Sequence, residues 1–193
     1  MYKDRKHFVM DKVNKFKLEI IGTQNSFGDL QTLSSHTFEN GRTFPVSYVD
    51  FVRKYGYGLT ADMFHIYIPM GNDGDSLFVR SAEIRSTYYD DVVNGELWFD
   101  VAPEVTTSIL QNLYPFACSD NGEYLFWDLT SGSNESGEMD IYITDFRGLA
   151  MQKVAANLYE AIQKLTDDNQ YKELLPYATH PLPNTFRCLD TIE

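Results

Sequence analysis

Between Arg85 and Arg147 the chain contains no lysine, arginine or histidine, although those 61 residues hold twelve carboxylates. They are Asp90, Asp91, Glu96, Asp100, Glu104, Asp120, Glu123, Asp128, Glu135, Glu138, Asp140 and Asp145, and they equal the whole formal net charge of -12. The rest of the sequence is formally neutral. A surface of one sign attracts a cationic partner and repels nucleic acid and anionic membrane. A charge run is in most proteins a solvated face, but a surface that serves only solubility intersperses both signs. The segregation therefore points to binding.

Other absences narrow the class. Cys118 and Cys188 are the two cysteines, 70 residues apart, and fit neither a disulfide framework nor a zinc pattern, so free thiols are expected. No apolar run approaches the roughly 20 residues that cross a bilayer. Lys3, Asp4, Arg5 and Lys6 are not followed by the apolar stretch of a secretion signal, which implies a soluble cytoplasmic protein. Without such a signal the sequon Asn134-Glu135-Ser136 carries no weight. His7, His36, His65 and His180 stand singly, with no paired-histidine metal motif. No nucleophile elbow, phosphate loop or dinucleotide fingerprint is present. Asp73 and Asp75 around Gly74 lack the further ligands of a calcium loop. Twelve acids in one region make some glycosidase-like pair inevitable. No catalytic residue, metal or cofactor is expected.

What is there is a foldable chain. Its 193 residues are 43% apolar and 15% aromatic, enough for one domain with a substantial core. Val9, Val13 and Phe16 recur at helical spacing, which predicts an amphipathic helix over about Asp4 to Lys15. The first twenty residues carry a net charge of +3 and are able to dock on the acidic region. Lys17 to Ile21 reads as a short strand and Thr23 to Ser35 as a loop. Tyr48, Phe51, Val52 and Tyr55 form one stripe of a helix that ends at Gly56 or Gly58. Its start is either Pro45, as a first-turn proline, or Ser47, in a capping box with Asp50. Tyr48, Phe51 and Tyr55 are assigned to the core.

Met63 to Ile68 reads as a strand, Ser76 as the cap of a helix to about Val93 that stops at Asn94-Gly95, and Glu104 to Asn112 as a second short helix. Tyr114 to Cys118 and Tyr124 to Leu129 flank Asp120-Asn121-Gly122 as a hairpin, with Gly122 supplying positive φ. A strand over Met139 to Asp145, a turn at Phe146-Arg147-Gly148 and a helix over Met151 to Leu165 follow. From Tyr171 onward, Pro176, Pro181 and Pro183 suggest an irregular tail.

The stretch Phe44-Pro45-Val46-Ser47-Tyr48-Val49-Asp50-Phe51-Val52-Arg53-Lys54-Tyr55-Gly56 resembles the L-P-x-x-Y-x-x-F-L-x-x-x-N-G-G signature of the SUKH superfamily. That superfamily includes yeast cell-wall synthesis regulators and bacterial toxin-immunity proteins. Pro115 to Asp128 is similar to its central F-A-x-x-x-G-x-x-x-x-x-D hairpin. The chain departs from the pattern with Gly56-Tyr57-Gly58 and with a long insertion from Ser76 to Asn112. The resemblance implies one α+β domain over 1–193, with a twisted, largely antiparallel sheet and helices packed against it. The family-like core spans about 33–165, between an N-terminal helical extension (1–32) and a C-terminal tail (166–193). It also implies action by binding, as an immunity protein against a basic toxin such as a nuclease. The alternative is a regulatory or scaffold protein that binds another protein.

The expected protein-binding residues are Asp120, Glu123, Asp128, Glu135, Glu138 and Asp140, on the hairpin and the loop after it. Strand alternation turns Trp127 inward with Leu125, so Trp98 is taken as the exposed aromatic. Tyr57, between two glycines, either presents its ring to a partner or plugs the sheet edge. Direct nucleic-acid and membrane contacts are not expected.

Overall fold

Aromatic and aliphatic side chains at helical spacing bury one face of α2 (Val46–Tyr55): Tyr48, Phe51, Val52 and Tyr55 are all inaccessible to solvent. The helix starts after Pro45, and no side chain of the Pro45 position caps it. The Ser47–Asp50 capping box is not used, because Ser47 is turned into the core. Gly56 ends the helix at φ 74°, where its backbone passes too close to the Ser26 carbonyl for a Cβ.

The computed structural model describes residues 16–93, 107–132, 136–144 and 151–190. The predicted first helix over Asp4 to Lys15, the Asn94-Gly95 stop, Trp98, Glu135, Asp145 and the turn at Phe146-Arg147-Gly148 lie outside the described residues. So do the carboxyl groups of Asp90, Asp91, Glu96, Asp100 and Glu104.

The remaining elements are β1 (Glu19–Ile21), α1 (Leu30–Ser35), β2 (Gly58–Thr60), β3 (Phe64–Ile66), α3 (Leu77–Val93), α4 (Thr107–Asn112), β4 (Leu113–Ser119), β5 (Tyr124–Asp128), β6 (Ile141–Thr144), β7 (Met151–Ala155), α5 (Leu158–Thr166), α6 (Tyr171–Leu174) and β8 (Thr185–Cys188). The eight strands form one sheet in the order β1-β8-β2-β3-β4-β5-β6-β7. Among the described strands only β1 and β8 pair in parallel, and every other neighbouring pair is antiparallel. With helices packed against it, this sheet is the α+β architecture expected.

The hairpin forms where the sequence places it. Gly122 sits at φ 96° in the β4–β5 turn. Beside Pro115, which has no N–H to donate, the β4–β5 register shifts between Pro115 and Ala117. Phe116, within that irregularity, stacks on Trp127 with ring centroids 4.2 Å apart and planes within 4°. Trp127 is fully buried against Tyr48 of α2, as alternation predicts.

Four elements differ from expectation. Within Thr23 to Ser35, Asp29 accepts from the Gln31 and Thr32 backbone N–H groups and starts α1. Gly58 to Thr60, given no structure in the sequence reading, is a strand between β8 and β3. Met151 to Leu165 is not one helix but β7 followed by α5. Asn157 accepts from the Glu160 N–H at 3.0 Å while Glu160 accepts from the Ala156 N–H at 2.9 Å, a reciprocal cap that begins a new helix there. The tail is not irregular throughout: Tyr171 to Leu174 is helical and Thr185 to Cys188 enters the sheet. The three prolines confine disruption to the connection, while β8 itself has none.

Candidate protein-binding surface

The hairpin separates the expected contact residues into two groups. Asp120 and Glu123 belong to the β4–β5 turn, whereas Asp128 ends β5, beside Glu138 and Asp140. Five residues of extended chain, roughly 16 Å at about 3.3 Å per residue, separate Glu123 from Asp128.

At the turn end, Asp120 is the most open of the described candidates, with its side chain 59% exposed and one oxygen 3.4 Å from His65 Nε2. Its backbone N–H is fixed by the Met63 carbonyl at 3.0 Å, which ties the turn to β3. Glu123 accepts a short hydrogen bond from the Ser119 hydroxyl, and its other oxygen accepts from the Tyr177 hydroxyl. Tyr177 is 55% exposed, and partial burial and the Glu123 carboxylate push its phenol up to about 12. In the neighbouring β2–β3 turn, Asp62 is held at φ 51° and pairs with Arg187 Nη2 at 2.9 Å. Asp62, His65, Tyr177 and Arg187 were absent from the sequence reading of this surface. Asp62 had a local signal, since aspartate tolerates the left-handed turn conformation; the others come from distant elements and had none.

At the other end, the carboxylates hold the fold. Asp128 accepts from the Thr130 N–H at 2.8 Å and the Thr130 hydroxyl at 2.6 Å, closing a local turn. Asp140 is bound to Lys153 at 2.6 Å, which raises the lysine pKa chiefly through that hydrogen bond. Glu138 accepts from the Ser47 N–H at 2.9 Å and hydroxyl at 2.6 Å, and Ser47 Oγ in turn accepts from the Leu158 N–H at 3.0 Å. Arg42 donates to the carbonyls of Leu129, Ser131 and Glu138, so a cation from far upstream pins the loop within the acidic run. The carboxylates here do not form one open face. Tertiary folding has brought Lys153 and Ser47 onto the Asp140 and Glu138 carboxylates from outside the run, and Arg42 onto the backbone carbonyls between them.

Tyr57 joins neither group. It is half-buried, and its hydroxyl donates to Asp75 at 2.6 Å, so the ring braces the start of β2 against the loop before α3. Burial, then the Asp75 carboxylate, raises its phenol well above the usual range.

Among the described residues no three of histidine, cysteine, aspartate and glutamate are grouped to hold a metal ion, and no helix is long and apolar enough to cross a membrane. Among curated proteins and among solved structures nothing matches the chain. The SUKH_6 family model, described as SMI1-KNR4 cell-wall, matches residues 38–160, well over half of the sequence, from the segment before α2 through the β4–β5 hairpin into α5. The chain belongs to the SUKH superfamily, in its SMI1-KNR4 family.

Proposed function

We propose that the protein is a non-enzymatic immunity protein that binds a basic toxin domain of nuclease type, from a polymorphic or contact-dependent system, and covers its active site. The carrying observation is Asp120, an exposed carboxylate at the hairpin turn with the exposed Tyr177 ring beside it through Glu123. An aromatic next to carboxylates suits a protein partner: the ring supplies contact area and the acids steer a basic surface into place. A nuclease must present a basic cleft to its own substrate, and an acidic protein is its electrostatic complement.

The test is co-expression with the product of a toxin-like gene, should one lie beside this protein's own gene. The wild-type chain restores growth, and the double variant Asp120→Lys, Tyr177→Ala, at the turn end, fails to. Unchanged protection by a folded double variant would overturn the assignment of the surface. A pull-down at low salt recovers the same partner and loses it as ionic strength rises.

The word cell-wall in the family description favours a second reading, a regulatory adaptor on the same fold that binds an intracellular protein. A gene standing apart from any toxin gene, with a non-toxin partner in the pull-down, would select it.

A further inference from the structure

The α2 side of the sheet is completed by strands from outside the family-matched span. β1 and β8 both fall outside residues 38–160, and β8 lies in the slot between β1 and β2. Its anchor is Phe186, fully buried, with its ring 5.1 Å from that of Tyr55 and 5.8 Å from that of Phe51. Gly58 is shaped for this strand. A Cβ at Gly58 would overlap both the Phe186 ring and the Arg187 carbonyl, although its φ is not in the positive range that requires glycine. Close approach is therefore what excludes a side chain.

The segments on either side of β1, and the strand β2, are held by contacts that do not involve β8, although β1 itself pairs with β8. On the β1 side, Phe16 packs edge-on against Phe51 and Tyr55 at 5.6 and 5.9 Å. Lys54 Nζ donates to the Phe16 carbonyl at 3.1 Å, and Gln24 Nε2 donates to the Lys54 and Tyr55 carbonyls at 2.6 and 3.1 Å. The Tyr57 N–H donates to the Ser26 carbonyl at 2.9 Å. On the other side β2 is paired with β3. The strand arrives through residues 176–184, whose three prolines resist collapse into a helix. Nine such residues reach roughly 28 Å when extended at about 3.1 Å each.

We propose that β8 exchanges between two copies of the chain, the Phe186 of each filling the slot of the other in a strand-swapped dimer. Every contact that seats β8 within one chain recurs between chains: the ladder to β1 and β2, the Phe186 ring against Tyr55 and Phe51, and the Arg187–Asp62 pair. Donor and acceptor are identical, so the seat is self-complementary, and what has to change course is the connection, whose Leu182 N–H donates to the Leu165 carbonyl at 3.0 Å and whose Tyr177 hydroxyl donates to Glu123. The inference rests on the seat of β8 and not on the identity of the turn-end partner, although rerouting residues 176–184 also moves Tyr177.

Asn25 and Asp190 report the exchange, because both are exposed and their side chains meet at 2.7 Å beside the slot. The experiment uses the full chain with Asn25→Cys and Asp190→Cys in a Cys118→Ser, Cys188→Ser background. The protein is concentrated, warmed to just below its unfolding midpoint, cooled, oxidised and diluted. Light scattering then shows a fraction at twice the 22.2 kDa monomer mass, and a denaturing non-reducing gel shows the two chains joined covalently. A sample that stays monomeric at every concentration overturns the proposal. So does a dimer whose 25–190 disulfides remain within each chain, since that dimer would form through another face.

Discussion

Glu138 closes the first turn of α2 by accepting two hydrogen bonds from Ser47, one from its backbone N–H and one from its hydroxyl. A carboxylate 91 residues downstream thus does what a local capping side chain does elsewhere, and it adds negative charge where the helix dipole favours it. Ser47 is fully buried, so removing its acceptor strands two donors away from water.

Glu138→Ala is expected to destabilise the fold by about 1–3 kcal/mol through these stranded donors. Asp120→Lys, at an exposed turn, is expected to change stability by no more than about 0.5 kcal/mol while lowering affinity for a basic partner tenfold or more. Chemical denaturation of both variants beside a binding titration separates the two roles. Equal stability losses would place both acids in the scaffold.

His36 makes stability depend on pH. Its ring stacks on Phe44 at 4.8 Å and lies 4.9 Å from Phe38 and from Phe78, and burial lowers its pKa below the ordinary 6.5. The folded state therefore disfavours the proton relative to the unfolded chain. The contribution is fully present above the unfolded pKa and is lost as pH falls from about 6.5 through the lower folded value. His36→Leu removes this component, so the wild-type loss of stability between pH 7.5 and 5 should exceed that of the variant. Parallel profiles would show that the histidine titrates alike in both states.

Phe186→Ala tests whether β8 is integral to the core. Losing a fully buried aromatic ring from between Phe51 and Tyr55 is expected to cost about 3–5 kcal/mol. A loss below about 0.5 kcal/mol, the range of surface substitutions, would mean that the strand packs only on the surface.

Asn157→Ala tests the start of α5. Removing a cap that holds the Glu160 N–H is expected to cost about 1 kcal/mol. In a helix continuous from Met151 the same change would raise helix propensity and stabilise the fold, so the sign of the effect distinguishes the two structures.

These residues also show what a sequence can disclose. α2 was readable because its four buried side chains keep helical spacing without interruption, and the hairpin because Asp120-Asn121-Gly122 is local turn chemistry. β7 reads as helix in the sequence because Met151, Val154 and Leu158 keep a helical period, whereas the burial of Met151, Val154 and Ala155 with Gln152 and Lys153 exposed is not the alternation that marks a strand. The Asn157-x-x-Glu160 box at the start of α5 was the overlooked signal. The strand β8 was hidden by its approach, since prolines describe the connection and say nothing of the four residues after it. The acidic run was read correctly as composition, but pairing is a property of tertiary neighbours. His65 and Lys153 reach Asp120 and Asp140 from other strands, Arg42 reaches the backbone carbonyls of the loop, and nothing in the run itself announces them.

The position of β8 between β1 and β2 has a consequence for synthesis. Among the described strands β1 is the first to be translated and β8 the last, and their register joins Glu19 to Thr185. A nascent chain can assemble β2 through β7 while it is still being made, yet β1 has no neighbour to pair with until the ribosome has delivered residues 185–188. Closure of that flank is thus forced to follow the rest, and pairing across so long a separation is intrinsically slow. A mutation or arrest that delays the last stretch of translation would leave exposed the Phe51 and Tyr55 rings that Phe186 finally covers.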